Sequence, residues 1–407
     1  MGVRRNVFTI APGAPFLETF VEAFLAGEIV SALSHETPPL AMARTTIYVP
    51  TQRAARALRT QFARAFDKGA TLLPRILPLG GLEERETTAL FGDFSDDFDA
   101  AALPQIEEME RRLLLAQLIV KWSEAVGAAI VSADGQGDFV YDESEPFLVA
   151  SSPAGAYALA ADLSALVDEF IIEDIPADAI DKAIDDSAFD PYWSITTTFL
   201  RIALQQWPQM LEEIGRVDAS ARQKRLIEAQ IAKLSESQDH APVIAIGSTG
   251  AQPTTARLLS AIAARDNGAV VLPGLDLDMS DAAWAQVGEG EGEPAFTHPQ
   301  TMLKRLLGVM QLTRGDVREL SRSDFAAERR RLVSQAMLPA DATAVWRDFR
   351  SAHSARFDAA LEGVALLEAP DEQAEALSLA LFLREALETP GQTAALVTPD
   401  RTIARRV

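Results

Sequence analysis

Val7–Ile10 is a short apolar run, Ala11-Pro-Gly-Ala-Pro15 follows it, and Phe16 opens a segment with apolar residues at helical spacing. Strand, loop and helix in that order are the setting of a phosphate-binding P-loop. There, backbone amides wrap the phosphates, a lysine neutralises them and a hydroxyl holds magnesium. With the frame begun at Ala11, Phe16, Leu17 and Glu18 stand where Gly-Lys-Ser/Thr should be; begun at Gly13, the positions fall on Glu18, Thr19 and Phe20. Neither frame supplies a lysine, and a carboxylate at Glu18 would repel a phosphate. Two readings follow: an ordinary strand–loop–helix corner, which the residues alone favour, or a P-loop position that has lost its chemistry.

A magnesium-ATP site also needs an apolar strand ending in paired carboxylates. Ala165-Leu-Val-Asp-Glu169 fits as a string, but its neighbours are apolar at helical spacing, so Asp168 and Glu169 read as a solvated helix face. The strand-like runs at Val243–Ile246 and Ala269–Leu272 end instead in Gly247-Ser248 and Pro273-Gly274. Both halves of an ATPase site are therefore expected to be missing, and no catalytic residue is assigned. His35, His240, His298 and His353 are scattered without metal-ligand spacing, and cysteine is absent, which excludes thiolate and iron–sulfur chemistry within this span. His298, without a carboxylate or metal partner, reads as structural.

Residues suited to a nucleic-acid backbone do occur. Thr51, Arg53 and Arg56 open a helix after a strand, with Arg59 continuing the basic face; Thr398 and Arg401 repeat the arrangement near the end. Arg75 lies in Leu72-Leu-Pro-Arg-Ile-Leu-Pro-Leu79, and Thr249 lies in the turn Gly247-Ser-Thr-Gly250, where Thr254 could cap the next helix. Hydroxyls and guanidinium groups at helix starts bind phosphate. The plainer reading of each is a solvated arginine or a structural turn. Arg329-Arg-Arg331 reads as surface, and the five tryptophans as core or interface anchors.

The elements that must position these residues alternate strand and helix over the first eighty or so residues, which predicts a parallel sheet covered by helices. Helical periods then dominate from about 100 to 240. Strand signals return at Val243–Ile246, Ala269–Leu272, Val364–Leu367 and Ala394–Val397, with helices at about Pro253–Ala264 and Asp371–Leu387. Asp281–Phe296 is acidic and Gly-rich and reads as a surface loop. The expected fold class is α/β with a large all-α insertion: 1–100 the first part of the core, 101–240 the insertion, 241–290 the returning strands, and 291–407 a helical region and the start of a second domain. Thr398 would start a last helix, and a chain seldom ends as a β-α unit begins, so the natural protein is expected to continue past Val407. Across 407 residues the net charge is -22, which favours solubility and argues against a surface that coats nucleic acid throughout. No apolar run reaches about 18 residues, so no membrane span is expected.

Several strings, taken in order, resemble one family. They are Phe8-Thr-Ile-Ala-Pro-Gly-Ala-Pro-Phe16, Tyr48-Val-Pro-Thr51, Leu73-Pro-Arg-Ile-Leu-Pro-Leu79, Glu110-Arg-Arg-Leu-Leu-Leu115, Ile244-Ala-Ile-Gly-Ser-Thr-Gly250, Leu272-Pro-Gly-Leu-Asp276, His298-Pro-Gln300 and Ala394-Ala-Leu-Val-Thr-Pro-Asp-Arg401. Together they resemble the AddB subunits, of alphaproteobacterial type, of AddAB helicase–nucleases. No one motif is specific; their order and spacing are, across essentially the whole chain. The resemblance implies a UvrD-like superfamily 1 helicase core with a degenerate ATP site, the helical insertion corresponding to a 1B-type subdomain. It implies a cytoplasmic protein in double-strand-break repair by homologous recombination, with recognition of a hotspot sequence. An AddA-type motor partner would supply the ATPase, and single-stranded DNA or broken ends would be bound. A nuclease domain with an iron–sulfur cluster would lie further along such a chain, leaving no cofactor in this part. Thr51, and Thr398 with Arg401, match positions where helicase relatives grip single-stranded DNA. Some relatives keep the first glycine and the lysine of a P-loop; the matching positions in this chain are Ala11 and Leu17. The rivals are a scaffold that docks the motor without touching DNA, and a nucleotide-dependent enzyme with an atypical site.

Overall fold

The computed structural model describes residues 5–66, 72–79, 103–133, 152–176, 179, 191–236, 240–288, 297–320 and 326–407. They fall into two compact units, Met1–Arg347 and Asp348–Val407.

The first unit is built on a six-stranded, all-parallel sheet in the order β3-β2-β4-β5-β1-β6. Its strands are β1 (Val7–Ile10), β2 (Thr46–Val49), β3 (Arg75–Pro78), β4 (Val243–Ile246), β5 (Gly268–Pro273) and β6 (Arg318–Glu319). Both faces are covered, so alternate residues of each strand enter different cores. Phe8, Ile10, Ile47, Val49, Ile244 and Ile246 face one side, where α1 (Phe16–Leu25) and α3 (Gln52–Ala65) pack; α2 (Pro39–Arg44) leads into β2. Val7, Tyr48, Val243, Ala245, Val270 and Leu272 face the other. This two-sided burial is why the strands read as unbroken apolar runs and not as alternating ones. Phe24 meets Phe62 edge-on at 5.2 Å between ring centroids, which locks α1 onto α3.

Residues 104–217 carry the insertion. Its helices are α4 (Glu108–Ala133), α5 (Pro153–Ile172) and α6 (Pro191–Glu213); α7 (Ala219–Glu236) leads back to the sheet. They enclose a separate core around Leu115, Ile119, Leu163 and Trp207. Its entry and exit are tied together: Ile106 N–H donates to the Val217 carbonyl at 3.0 Å, and Val217 N–H donates to Pro104 at 3.1 Å.

Asp168 corrects the reading of a solvated helix face. It grips the buried Arg111 guanidinium at 2.8 and 3.0 Å, and Asp218 takes the Arg111 Nε at 2.8 Å. Ser220 donates to Asp168, and the Trp207 indole donates to Asp218 at 2.8 Å. Burial pushes the Asp218 carboxyl up, against the pull of Arg111.

The first unit continues with α8 (Pro253–Ala263), α9 (Asp281–Gln286), α10 (Thr301–Val309) and α11 (Ala327–Ala336). Asp281–Phe296 is thus not loop throughout: Ser280 caps the N-terminus of α9 by accepting from Ala283 N–H at 3.3 Å, and 289–296 lie outside the described residues. Thr254 does not cap α8; the N-cap is Gln252, and Thr254 is buried beside Arg257. β6 carried no sequence signal, being two exposed charged residues at a sheet edge. The helical segment that Phe16 opens ends at Leu25, and Ile29, Val30 and Leu33 stay buried in the turns that follow.

The second unit contains α12 (Glu372–Glu388) and α13 (Arg401–Arg406), joined by an ion pair between Arg406 and Glu372. The strands expected at Val364–Leu367 and Ala394–Val397 do not form; no ladder partner lies beside either segment among the described residues. The last helix starts at Arg401, with Asp400 as N-cap, and not at Thr398. Among the described residues, no helix is long and apolar enough to cross a membrane.

Candidate functional site

Parallel strands bring all their exit loops to one edge, and ligands bind there where neighbouring connections diverge to opposite faces. Chains leaving β1 and β2 cross the face covered by α1 and α3, while those leaving β4 and β5 cross the other. The strand order therefore creates two points of divergence, between β2 and β4 and between β1 and β5.

The first gathers three of the sequence-predicted residues, and Arg56 lies one turn further along α3. Thr51 is the N-cap of α3, its hydroxyl accepting from Ala54 N–H at 3.1 Å. Arg53 and Arg56 are exposed on the first turns. Arg59 is held elsewhere, its guanidinium donating to the Ile76 carbonyl at 2.9 Å. Across the divide, Gly247 takes φ +71, and a Cβ there would sit 3.5 Å from the Phe16 ring and 3.6 Å from Pro50. Gly250 takes φ +62, which favours glycine, and a Cβ there would lie 2.9 Å from Leu306 Cδ1, so that side chain would have to shift. The turn thus brings half-buried Thr249 to the edge that Thr51 and Arg53 occupy. Arg75 is not part of this group. It opens β3 opposite Thr46, at the other end of the strands.

At β1 the loop has little capacity to cradle phosphate. Pro12 and Pro15 have no N–H, Ala14 N–H is turned back onto the Ala11 carbonyl at 3.2 Å, and Gly13 is exposed. Phe16 lies against the Gly247 turn, Leu17 packs against the first-face core, and Glu18 stands in the first turn of α1.

The β1/β5 divergence holds a crevice of about 540 Å³ that no sequence motif marks. Thr9 organises its base, donating to the Leu272 carbonyl at 3.3 Å and accepting from Leu275 N–H at 3.1 Å. Gln300 holds the β5 exit from both sides: its Nε2 donates to Gly274 at 3.0 Å and its Oε1 accepts from Asp276 N–H at 3.0 Å. His298 accepts from Gln300 N–H at Nδ1, so its proton sits on Nε2, 2.7 Å from the Met337 carbonyl. It ties the β5 exit to the C-terminal end of α11. Arg330 of α11 braces the far wall to Asp278 at 2.6 Å and Glu319 at 3.1 Å. Burial works against the Arg330 charge, and the two carboxylates outweigh it, holding the guanidinium above its ordinary value. The Arg329–Arg331 segment is therefore not a plain surface cluster. The one sequence hint of this crevice was Leu272-Pro-Gly-Leu-Asp276 beside His298-Pro-Gln300, two strings whose joining depends on tertiary structure.

In the second unit, the Thr398 hydroxyl accepts from Asp400 N–H at 3.1 Å and Arg401 is exposed at the start of α13. Among the described residues, no three acidic or histidine side chains are grouped to hold a metal. A scan against protein-family models and a search of curated proteins both return no match to this chain.

Proposed function

We propose that the chain is a non-motor, helicase-like region that grips single-stranded DNA within a helicase–nuclease acting on broken ends in the cytoplasm. An AddA-type motor subunit would be its partner. The family part of this reading rests on the ordered motif strings, which resemble AddB. The observation that carries the DNA part is the convergence of Thr51 and Arg53 with Thr249 at the β2/β4 divergence, with Arg56 one turn along α3. Two loops with hydroxyls at one sheet edge, one of them leading into the Arg53 and Arg56 guanidiniums, suit a phosphate backbone, in a protein whose charge of -22 confines any such contact to a local track. Thr398 and Arg401 are a second candidate contact on the other unit. The P-loop position, with Phe16, Leu17 and Glu18 in place of Gly-Lys-Ser/Thr, supports the absence of a motor role.

The test is a titration of fluorescent single-stranded and forked DNA across salt concentrations, with and without the motor subunit. Binding should weaken with salt, and replacing Arg53 and Arg56 by alanine should flatten the log–log salt slope by about 1.4, at roughly 0.7 per contact to single strands. No DNA binding in either setting favours the scaffold reading, to which the acidic charge lends support.

A further inference from the structure

We propose that a groove in the helical insertion docks a peptide segment of a partner protein, one that carries apolar side chains next to an aspartate or glutamate. The groove lies between the C-terminal end of α5, the second half of α6 and the first half of α7, with a volume of about 510 Å³. It shares no residue with either point of divergence on the sheet. Phe170, Ile171, Leu204 and Pro208 line it. So does Trp207, which is only 1% exposed and whose indole is held by Asp218, so this wall is set before anything docks. The end of α5 is set as well, by a Schellman cap. Asp174 takes φ +58, a backbone that aspartate tolerates; its N–H donates to Ile171 at 3.4 Å, and Ile175 N–H reaches back to the Phe170 carbonyl at 2.9 Å. Ile175 lines the groove and stays 41% exposed.

Charge selects the occupant. The charged residues of the lining are Asp174, Lys224, Arg225 and Glu228. Asp174 accepts from Lys224, and from Arg257 at 2.9 Å; Arg257 also reaches Glu228 at 3.3 Å. Lys224 and Arg257 together hold the Asp174 carboxyl below its ordinary range. These groups satisfy one another. Arg225 is exposed and has no ion-pair partner among the described residues. A carboxylate on a docked segment would meet its guanidinium beside an apolar wall, where lost water strengthens the pair. The rest of α7 has the same sign: Arg222, Lys224, Arg225 and Lys233 stand against Glu228 and Glu236, in a chain whose net charge is -22.

A nucleic-acid strand fits this groove less well. Asp174 and Glu228 repel a continuous phosphate backbone, and one guanidinium without a carboxylate is not the row of cations that a strand requires. An apolar anchor with a neighbouring charge, set in a groove between helices, is how amphipathic segments dock.

Selection of random peptides displayed on phage against the whole chain tests the idea. Enriched sequences should combine aliphatic or aromatic residues with aspartate or glutamate. Synthetic copies of them should bind about tenfold more weakly, or worse, to Arg225→Glu and to Ile175→Asp. Both positions are exposed, so circular dichroism and thermal unfolding of the variants should match the parent. A fresh selection on Arg225→Glu should return lysine or arginine in place of the acidic residue, a reversal that a merely structural Arg225 would not produce. Selection that enriches no peptide, or only peptides without an acidic residue, overturns the proposal, as do enriched peptides that bind both variants as well as the parent. A labelled oligo-thymidylate serves as the rival probe. If it displaces the selected peptides and loses affinity on Arg225→Glu, the groove belongs to nucleic acid and the proposal falls.

Discussion

Val243–Ile246 and Ala394–Val397 are both four-residue apolar runs, but they end in opposite environments. β4 lies between β2 and β5, with its side chains divided between two cores and no residue more than 8% exposed. Val397 is 92% exposed, and Leu366 in the matching run Val364–Leu367 is 88% exposed. Leu377, Leu381 and Phe382 on α12 are exposed as well. Composition sets a tendency to extend; ladder partners on both edges and helices on both faces turn it into a strand.

The sharpest way to break the comparison is to place the same charge in both runs. Ile244→Asp buries an unpaired carboxylate in the first core and should cost about 4 kcal/mol or more, enough to unfold the sheet. Leu366→Asp should fall within about 0.5 kcal/mol of the parent. Equal losses in chemical denaturation would show that the second unit is covered in solution. Next in size is Arg111→Ala. It strands the buried Asp218 and should cost about 3–5 kcal/mol. Hydrogen exchange should rise first in α4–α6, because those helices have their own core. Simultaneous loss of protection in β4 and β5 would deny that independence. Tyr48→Phe should have the smallest effect, confined to alkaline pH. Burial pushes the Tyr48 phenol up to about 12, against an ordinary 10.0. Between those values the unfolded chain releases a proton that the folded one keeps. The parent therefore loses stability as pH rises from 10 towards 12, by about 2 kcal/mol, and the phenylalanine variant lacks that part of the slope.

The runs at β2, β4 and β5 were legible because two-sided burial leaves a continuous apolar signature, and Thr51 was legible as a cap because a hydroxyl directly precedes the helix. The false strands at Val364 and Ala394 carry the same signature; what they lack is neighbours, which no local string records. β6 went unseen for the opposite reason, since backbone bonds to β1 make it a strand without any apolar residue. Of the site, the Thr51, Arg53 and Thr249 grouping follows from strand order, which brings β4 beside β2 across the whole insertion. Arg75 stands apart from that grouping because it opens β3 opposite Thr46, and the string alone does not record which end of the sheet a residue occupies. The crevice depends on Ser334 and Asp276, 58 positions apart in the numbering, and on braces formed only once α11 docks.

The paired backbone bonds between Pro104, Ile106 and Val217 also bear on how fast the sheet can assemble. β2 must find β4 across nearly two hundred residues of chain, a separation that normally slows folding. Once α4–α6 collapse and their two ends clasp, that stretch behaves as a short loop, and the closure entropy of the remaining search falls with the logarithm of its length. An assembly order follows: the helical block first, the central strand pair second. Because the clasped ends lie side by side, a linker of about three to five residues, at roughly 3.3–3.6 Å each, could replace the whole block and leave the sheet its register.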